Sequence, residues 1–242
     1  MQLFYTTHIA DSKALLTDDE ARHVKVLRKS VNDQLHLIDG IGYLYEAVIT
    51  EIVDTKKAHE VHLNIVSKTL QARSRNYHFH LFIAPTKQNE RIEWMLEKAI
   101  ETGLDSITFI QTEHSEKSRV NLGRLEKICI SAMKQSGEFY MPVINDLVIF
   151  KDVLHANKDA VQLIAHCNAK FEKQSLQAYA KSIANANINL FIGPEGDFSE
   201  TEIKKAYELG FKGLSLGITR LRTETAGLYA AMALSAVLEK SL

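Results

Sequence analysis

Ile188-Asn-Leu-Phe-Ile192 followed by Gly193-Pro-Glu-Gly-Asp-Phe-Ser199-Glu-Thr-Glu202 reads as a strand, a tight turn and a helix start in immediate succession. The apolar run is too short for a helix and suits a strand buried on both faces. Gly193 and Gly196 permit positive φ and close approach of the backbone, and Pro194 stiffens the turn. Ser199 and Glu202 have the spacing of a capping box, in which hydroxyl and carboxylate satisfy backbone N–H groups at the helix start. Strand, turn and helix in this order form the unit of a parallel sheet.

The same alternation extends outward. Strand-like runs fall at His78–Ala84, Ile107–Gln111, Val161–His166 and Gly213–Leu216. Between them, Arg91–Glu101 carries an apolar stripe of Ile92, Met95, Leu96, Ala99 and Ile100, and Leu122, Leu125, Cys129, Ala132 and Met133 repeat it. The expected fold is α/β, with βαβ units and a mostly parallel sheet over residues 73–242. Residues 1–72 differ. Gln34–Ile38, the turn signal Asp39-Gly40, Tyr43–Val53 and Glu60–Val66 read as strands. One helix interrupts them after Thr17-Asp-Asp-Glu20, a second capping box, with Ala21, Val24 and Leu27 on one face. A small β-barrel carrying one helix is expected there.

Composition bounds the function. The 242 residues hold 29 Lys+Arg against 30 Asp+Glu, with 45% hydrophobic and 24% charged residues, as in an ordinary globular protein. A net charge of −1 argues against indiscriminate coating of nucleic acid but allows a local site. Cys129 and Cys167 stand apart with no C-x-x-C, and no histidine pair has H-E-x-x-H spacing, so no metal is expected and a reducing, cytoplasmic location suits the chain. The N-terminal MQLFYTTHIADSK lacks the pattern of a signal peptide. The uncharged run Thr225–Leu238 is too short to span a bilayer and reads as a buried helix, so no membrane partner is expected. That helix is apolar nearly all round and needs cover on every side, which points to a homodimer.

Ligands of open α/β sheets bind outside the carboxyl ends of the strands. Three ends carry unusual residues: Ala84-Pro-Thr-Lys87, the Gly193–Phe198 turn, and Leu216-Gly217 followed by Ile-Thr-Arg220-Leu221-Arg222-Thr-Glu224-Thr225-Ala. There is no G-x-x-x-x-G-K-[ST], and no G-x-G-x-x-G follows a strand, so neither a P-loop nor an ordinary dinucleotide site is supported. A turn without a ligand accounts for Gly193–Phe198 equally well. Thr223 as N-cap and Glu224 against the helix dipole have structural explanations. Arg222 does not: a cation at a helix N-terminus is unfavourable without an anionic partner.

The segments LFIGPEGDFSETE and LSLGITRLRTETAGLYAAMAL resemble those of the ribosomal RNA small subunit methyltransferase E family, within the SPOUT (α/β-knot) superfamily. His23-Val-Lys25-Val-Leu-Arg28 is similar to the family's N-terminal His…Val-Leu-Arg element, Lys98-Ala-Ile-Glu101-Thr-Gly103 to its K-A-x-E-L-G, and Lys134-Gln135-Ser136 with Pro142 to its E-Q-S…P. The chain departs from the family pattern at Asp197, usually glycine, at Thr102, usually leucine, and at Glu138, usually arginine.

The resemblance implies a SPOUT-type knotted parallel-sheet domain at 73–242, preceded by a PUA-like, RNA-binding β-barrel at 1–72. It implies a homodimer that transfers a methyl group from S-adenosyl-L-methionine to N3 of a uridine in 16S rRNA, free or within the small ribosomal subunit. Carried over, the cofactor pocket is Gly193, Glu195, Gly196, Leu216, Gly217, Leu221, Arg222 and Thr225. Arg222 is expected to stabilise the uracil anion, with Glu195 or Glu224 as base, and His23, Lys25, Arg28, Lys134 and Gln135 to hold rRNA. A SPOUT enzyme acting on another RNA such as tRNA, a non-catalytic assembly factor, and a hydrolase using Glu195 and Glu224 are the competing readings.

Overall fold

A computed structural model describes residues 1–56, 58–73, 75–155, 159–183 and 186–238. Ser74, within the basic triplet Arg73-Ser-Arg75, lies outside them. The chain divides into two compact units, Met1–Arg73 with Ile130–Met141, and Ser74–Cys129 with Pro142–Leu242.

The first unit contains β1 (Leu3–Tyr5), β2 (Ile9–Ala10), β3 (Lys13–Thr17), α1 (Asp18–Val26), β4 (Gln34–Ile38), β5 (Tyr43–Asp54) and β6 (His59–Leu70). Its sheet runs β1-β4-β5-β6-β3-β2, with β1 parallel to β4 and the remaining pairs antiparallel. Alternate residues point inward, as period 2 requires, so Leu35 and Leu37 join Phe4, Leu16, Ala47, Ile49, Val61 and Leu63 in one core. Register shifts at Glu46/Ala47 and Ile49/Glu51 bend the long β5–β6 hairpin around that core. Ala21 and Val24 of α1 are buried against it, as the sequence indicates.

The Thr17 capping box does not form: Thr17 is the N-cap, but its side chain accepts no hydrogen bond. Glu20 is drawn elsewhere. Its Oε2 accepts from the Tyr5 N–H at 3.2 Å, and its Oε1 lies 2.5 Å from Lys134 Nζ.

The Asp39-Gly40 turn explains why Ile130–Met141 groups with this unit. Asp39 Oδ1 accepts from Ile41 and Tyr43 N–H at 2.9 and 3.2 Å, and Tyr45 OH donates to its Oδ2 at 2.8 Å. The turn then pairs with a distant strip of chain: Gly42 N–H donates to Phe139 O at 3.0 Å and Met141 N–H to Gly40 O at 2.7 Å. Gly42 has φ +102, and a Cβ there would run into the Tyr140 ring, so glycine is required.

The second unit contains β7 (His78–Ile83), α2 (Asn89–Glu101), β8 (Ser106–Gln111), β9 (Val143–Ile149), α4 (Phe150–Val153), β10 (Val161–Ala165), β11 (Gln174–Ser175), α5 (Leu176–Ile183), β12 (Asn187–Ile192), α6 (Glu200–Glu208), β13 (Lys212–Ser215) and α7 (Thr223–Leu238). Helix α3 (Leu122–Ser136) begins here and continues from Ile130 as part of the first unit. The sheet, in the order β11-β13-β10-β12-β7-β8-β9, is parallel throughout. Strands β8 and β12 are buried almost end to end, the pattern of a parallel sheet covered on both faces. Strands β9 and β11 carry no strong sequence signal and are additions to the expected set.

Helix α7 lies against α2, α5, β7 and β12. Gly227 makes that approach close, since a Cβ there would sit 3.0 Å from Ile83 Cδ1 and 3.3 Å from Met95 Sδ. The opposite face leaves Tyr229 and Met232 about half exposed, at 47% and 53%. Among the described residues, no helix is long and apolar enough to cross a membrane.

Candidate functional site

A cavity of about 520 Å³ opens at the carboxyl ends of β10, β12 and β13. That volume suits a small organic molecule. Two of the three strand ends singled out by sequence meet there. Gly193 and Glu195 come from the turn after β12, and Leu216, Gly217, Leu221 and Arg222 from the loop between β13 and α7. The third end, Ala84–Lys87, reaches the site indirectly: Lys87 N–H donates to Glu195 Oε1 at 3.4 Å. The end of β10 contributes His166 and Cys167, which sequence reasoning passed over. Their only signal was position, directly after an apolar strand.

The turn after β12 is held from several sides. Ser199 and Glu202 form the expected capping box at the start of α6. Gly193 is needed for space, because a Cβ there would approach Phe198 N and Cδ2 to 3.1 Å. The positive φ falls on Asp197 instead, at +64°, which aspartate tolerates better than most residues. Asp197 Oδ2 accepts from Cys167 N–H at 2.7 Å and its Oδ1 from Phe198 N–H at 2.8 Å, tying the turn to the end of β10. Gly196 faces His114, whose Nδ1 lies 3.1 Å from Gly196 O and 3.0 Å from Asp197 O. With two carbonyl acceptors, that Nδ1 must carry the proton.

At the start of α7, Ala226 N–H donates to Arg222 O at 2.8 Å. Arg222 is therefore the N-cap and Thr223 the first helical residue, so the helix starts one position earlier than expected. Thr223 Oγ1 donates to Gly193 O at 3.1 Å, joining the two cavity-lining loops. Arg220 Nη2 donates to Glu195 O at 3.0 Å. Arg222 is exposed, lines the cavity and has no side-chain partner among the described residues. Among the described residues this cation has no protein anion.

Glu224 is buried, with Oε1 3.7 Å from Arg91 Nη1 of α2 and Oε2 without a hydrogen bond. It belongs to the α2–α7 contact, while Glu195 is exposed on the cavity wall. Thr225 is exposed on α7. Burial beside Lys173 pushes the His166 pKa down to about 4, so its ring is neutral at pH 7.

The expected RNA-contact residues all lie in the first unit. Lys25 pairs with Asp54, which also holds His59 Nδ1 at 2.6 Å, and these two partners keep the Asp54 carboxyl below its usual pKa. His23 is half-buried and tilted against Phe4. Arg28 and Gln135 are exposed, whereas Lys134 is committed to Glu20. No cluster of three or more His, Cys, Asp or Glu suited to a metal occurs among the described residues.

The chain matches the RNA methyltransferase domain family over residues 73–235 and the RNA methyltransferase PUA domain family over residues 16–59. It is thus an RNA methyltransferase by class, with a SPOUT-type α/β domain and a PUA-like N-terminal domain. The ribosomal RNA small subunit methyltransferase E of Buchnera aphidicola (subsp. Acyrthosiphon pisum, strain APS) is 31% identical over 225 residues, spanning 89% of this chain and 85% of that protein. A crystal structure described as a "probable rRNA-methyltransferase" from Porphyromonas gingivalis is 39% identical, with TM-score 0.88 and 98% coverage of both chains. The ribosomal RNA small subunit methyltransferase E of Neisseria gonorrhoeae, solved bound to S-adenosyl methionine, is 26% identical, with TM-score 0.79 and 98% coverage of both chains. The chain belongs to the ribosomal RNA small subunit methyltransferase E family.

Proposed function

We propose that the protein transfers a methyl group from S-adenosyl-L-methionine to N3 of a uridine in 16S rRNA, acting on the small ribosomal subunit in the cytoplasm. The observation that carries this reading is Arg222, a guanidinium with no side-chain partner among the described residues, at the start of α7 on the wall of the 520 Å³ cavity. The cavity's donor set fits the methyl donor. Leu216, Leu221 and Ile192 offer apolar surface to an adenine, and cationic and anionic side chains are both present for a zwitterionic methionine group.

When bound, S-adenosyl-L-methionine supplies an electrophilic methyl group. Transfer forms the N3–C bond as the C–S bond breaks, so S-adenosylhomocysteine leaves and the N3 proton must be taken up. Arg222 stabilises the negative charge that develops on the uracil oxygens. Glu195, exposed on the wall, is better placed than the buried Glu224 to accept the proton. Gly193, Gly217 and Leu216 hold the donor through their backbones, and much of the rate comes from alignment.

Residues 1–72 serve as the RNA-binding domain and residues 73–242 as the methyltransferase domain. Arg28 and Gln135 are the better-placed RNA contacts, because Lys25 and Lys134 already pair with carboxylates. A second copy covers the exposed stripe of Tyr229 and Met232 on α7, giving a homodimer. The test is transfer of labelled methyl from S-adenosyl-L-methionine to small-subunit rRNA. Transfer that requires the protein supports the reading, and cofactor binding without transfer to any small-subunit RNA contradicts it.

A further inference from the structure

Asp197 closes the turn Gly193-Pro-Glu-Gly-Asp197 and is one of the residues that line the cavity. The backbone accommodates it at φ +64°, and two backbone N–H groups, those of Cys167 and Phe198, fix both oxygens. A carboxylate anchored in this way cannot turn out to solvent, yet it retains lone pairs for a further partner. Glu195 is the other carboxylate among the lining residues; its Oε1 accepts from the Lys87 N–H, while the Lys87 ammonium is paired with Glu116. Asp197 has no ion-pair partner among the described residues. The His166 ring nearby is neutral at pH 7, and the cations Lys173, Arg220 and Arg222 line the same cavity without pairing with Asp197.

Resting on the reading that this cavity takes S-adenosyl-L-methionine, we propose that Asp197 distinguishes the cationic methyl donor from its neutral product by favouring the sulfonium over the thioether. The donor and S-adenosylhomocysteine carry the same adenine, ribose, ammonium and carboxylate. They differ by one methyl group and by the positive charge on sulfur. A fixed anion in a partly desolvated wall acts on that charge over several ångströms, enough for about a tenfold preference. The neutral product then competes less well for the site.

The kinetic consequence has a definite sign. Charge on sulfur falls as the methyl group departs, so Asp197 binds the ground state more tightly than the transition state. Such an interaction lowers KM without raising kcat. Its removal raises KM for the donor and leaves kcat undiminished.

The experiment is calorimetric titration of S-adenosyl-L-methionine and of S-adenosylhomocysteine into wild type, Asp197→Asn and Asp197→Gly. Asparagine tolerates positive φ and keeps one oxygen for the Cys167 N–H, so it removes the charge together with the hydrogen bond from the Phe198 N–H. Asp197→Gly relieves the positive φ, which guards against a folding defect. In both variants donor affinity is expected to fall about tenfold while product affinity stays within twofold. Equal losses for the two ligands would mean that Asp197 only positions the Cys167 loop or meets the ammonium shared by both, and would overturn the inference, as would no loss at all. If wild type binds neither ligand, the cofactor reading itself fails and the inference falls with it.

Discussion

Lys134 Nζ lies 2.5 Å from Glu20 Oε1, with side chains only 18% and 17% exposed. The pair joins α1 to the segment Ile130–Met141 within the first unit. Loss of one partner leaves a half-buried charge uncompensated. Lys134→Ala is expected to cost about 1–3 kcal/mol of stability, read as a lowered urea midpoint. Glu20→Gln with Lys134→Met should recover part of that loss. An unchanged midpoint in Lys134→Ala would return this lysine to the pool of free RNA contacts.

The two sequence capping boxes differ in the structure, and their alanine variants should differ too. Ser199 accepts from Glu202 N–H, with the reciprocal Glu202 contact in place. Ser199→Ala should cost about 1 kcal/mol. Thr17 makes no such bond, so Thr17→Ala should change stability by less than about 0.5 kcal/mol. Comparable losses at both sites would contradict the caps described above.

The role proposed for Arg222 predicts that binding and chemistry separate on its removal. Arg222→Ala should lower kcat by about 10²–10³-fold, with the S-adenosyl-L-methionine dissociation constant changed far less. Arg222→Lys should recover little, because an ammonium lacks the planar fork that spans two acceptors. Parallel losses in kcat and cofactor affinity would assign Arg222 to the cofactor alone.

Two histidines set an acid limit on stability. Burial, with His78 adding to it, pushes His80 down to about 4, and burial beside Lys173 does the same to His166. Both are largely neutral in either state well above pH 6.5. Between pH 6.5 and 4 the unfolded chain takes up protons that the folded one refuses, so stability falls as pH falls. Each contributes on the order of 1–3 kcal/mol. Urea midpoints at pH 7, 5.5 and 4.5 should decline steadily, and Cε1–H resonances of both residues should stay in their neutral positions down to pH 5. Titration of either near 6.5 in the folded protein would remove the effect.

Much of this architecture was legible because it is local. The apolar runs of β7, β8, β10 and β12, the stripe on α2 and the Ser199 cap depend on neighbours in sequence and appear where the pattern puts them. The failures are long-range. Glu20 was lost to its own cap by a lysine 114 residues away, and the Asp39-Gly40 turn gives no sign that Phe139–Met141 will pair with it. Glu195 and Glu224 look interchangeable in sequence, but only the fold turns one toward the cavity and buries the other beside Arg91. His166 and Cys167 carry no motif and gain significance only from the strand end they occupy.

The central claim is methyl transfer to uracil N3, and the most direct measurement is the position of the methyl group. Small subunits from cells lacking the gene would be incubated with the protein and labelled S-adenosyl-L-methionine, and their rRNA digested and mapped by mass spectrometry. A single methyl at N3 of one uridine in 16S rRNA, absent with Arg222→Ala, is the expected result. A methyl on another atom or another RNA, or none while S-adenosyl-L-methionine remains bound, would contradict it.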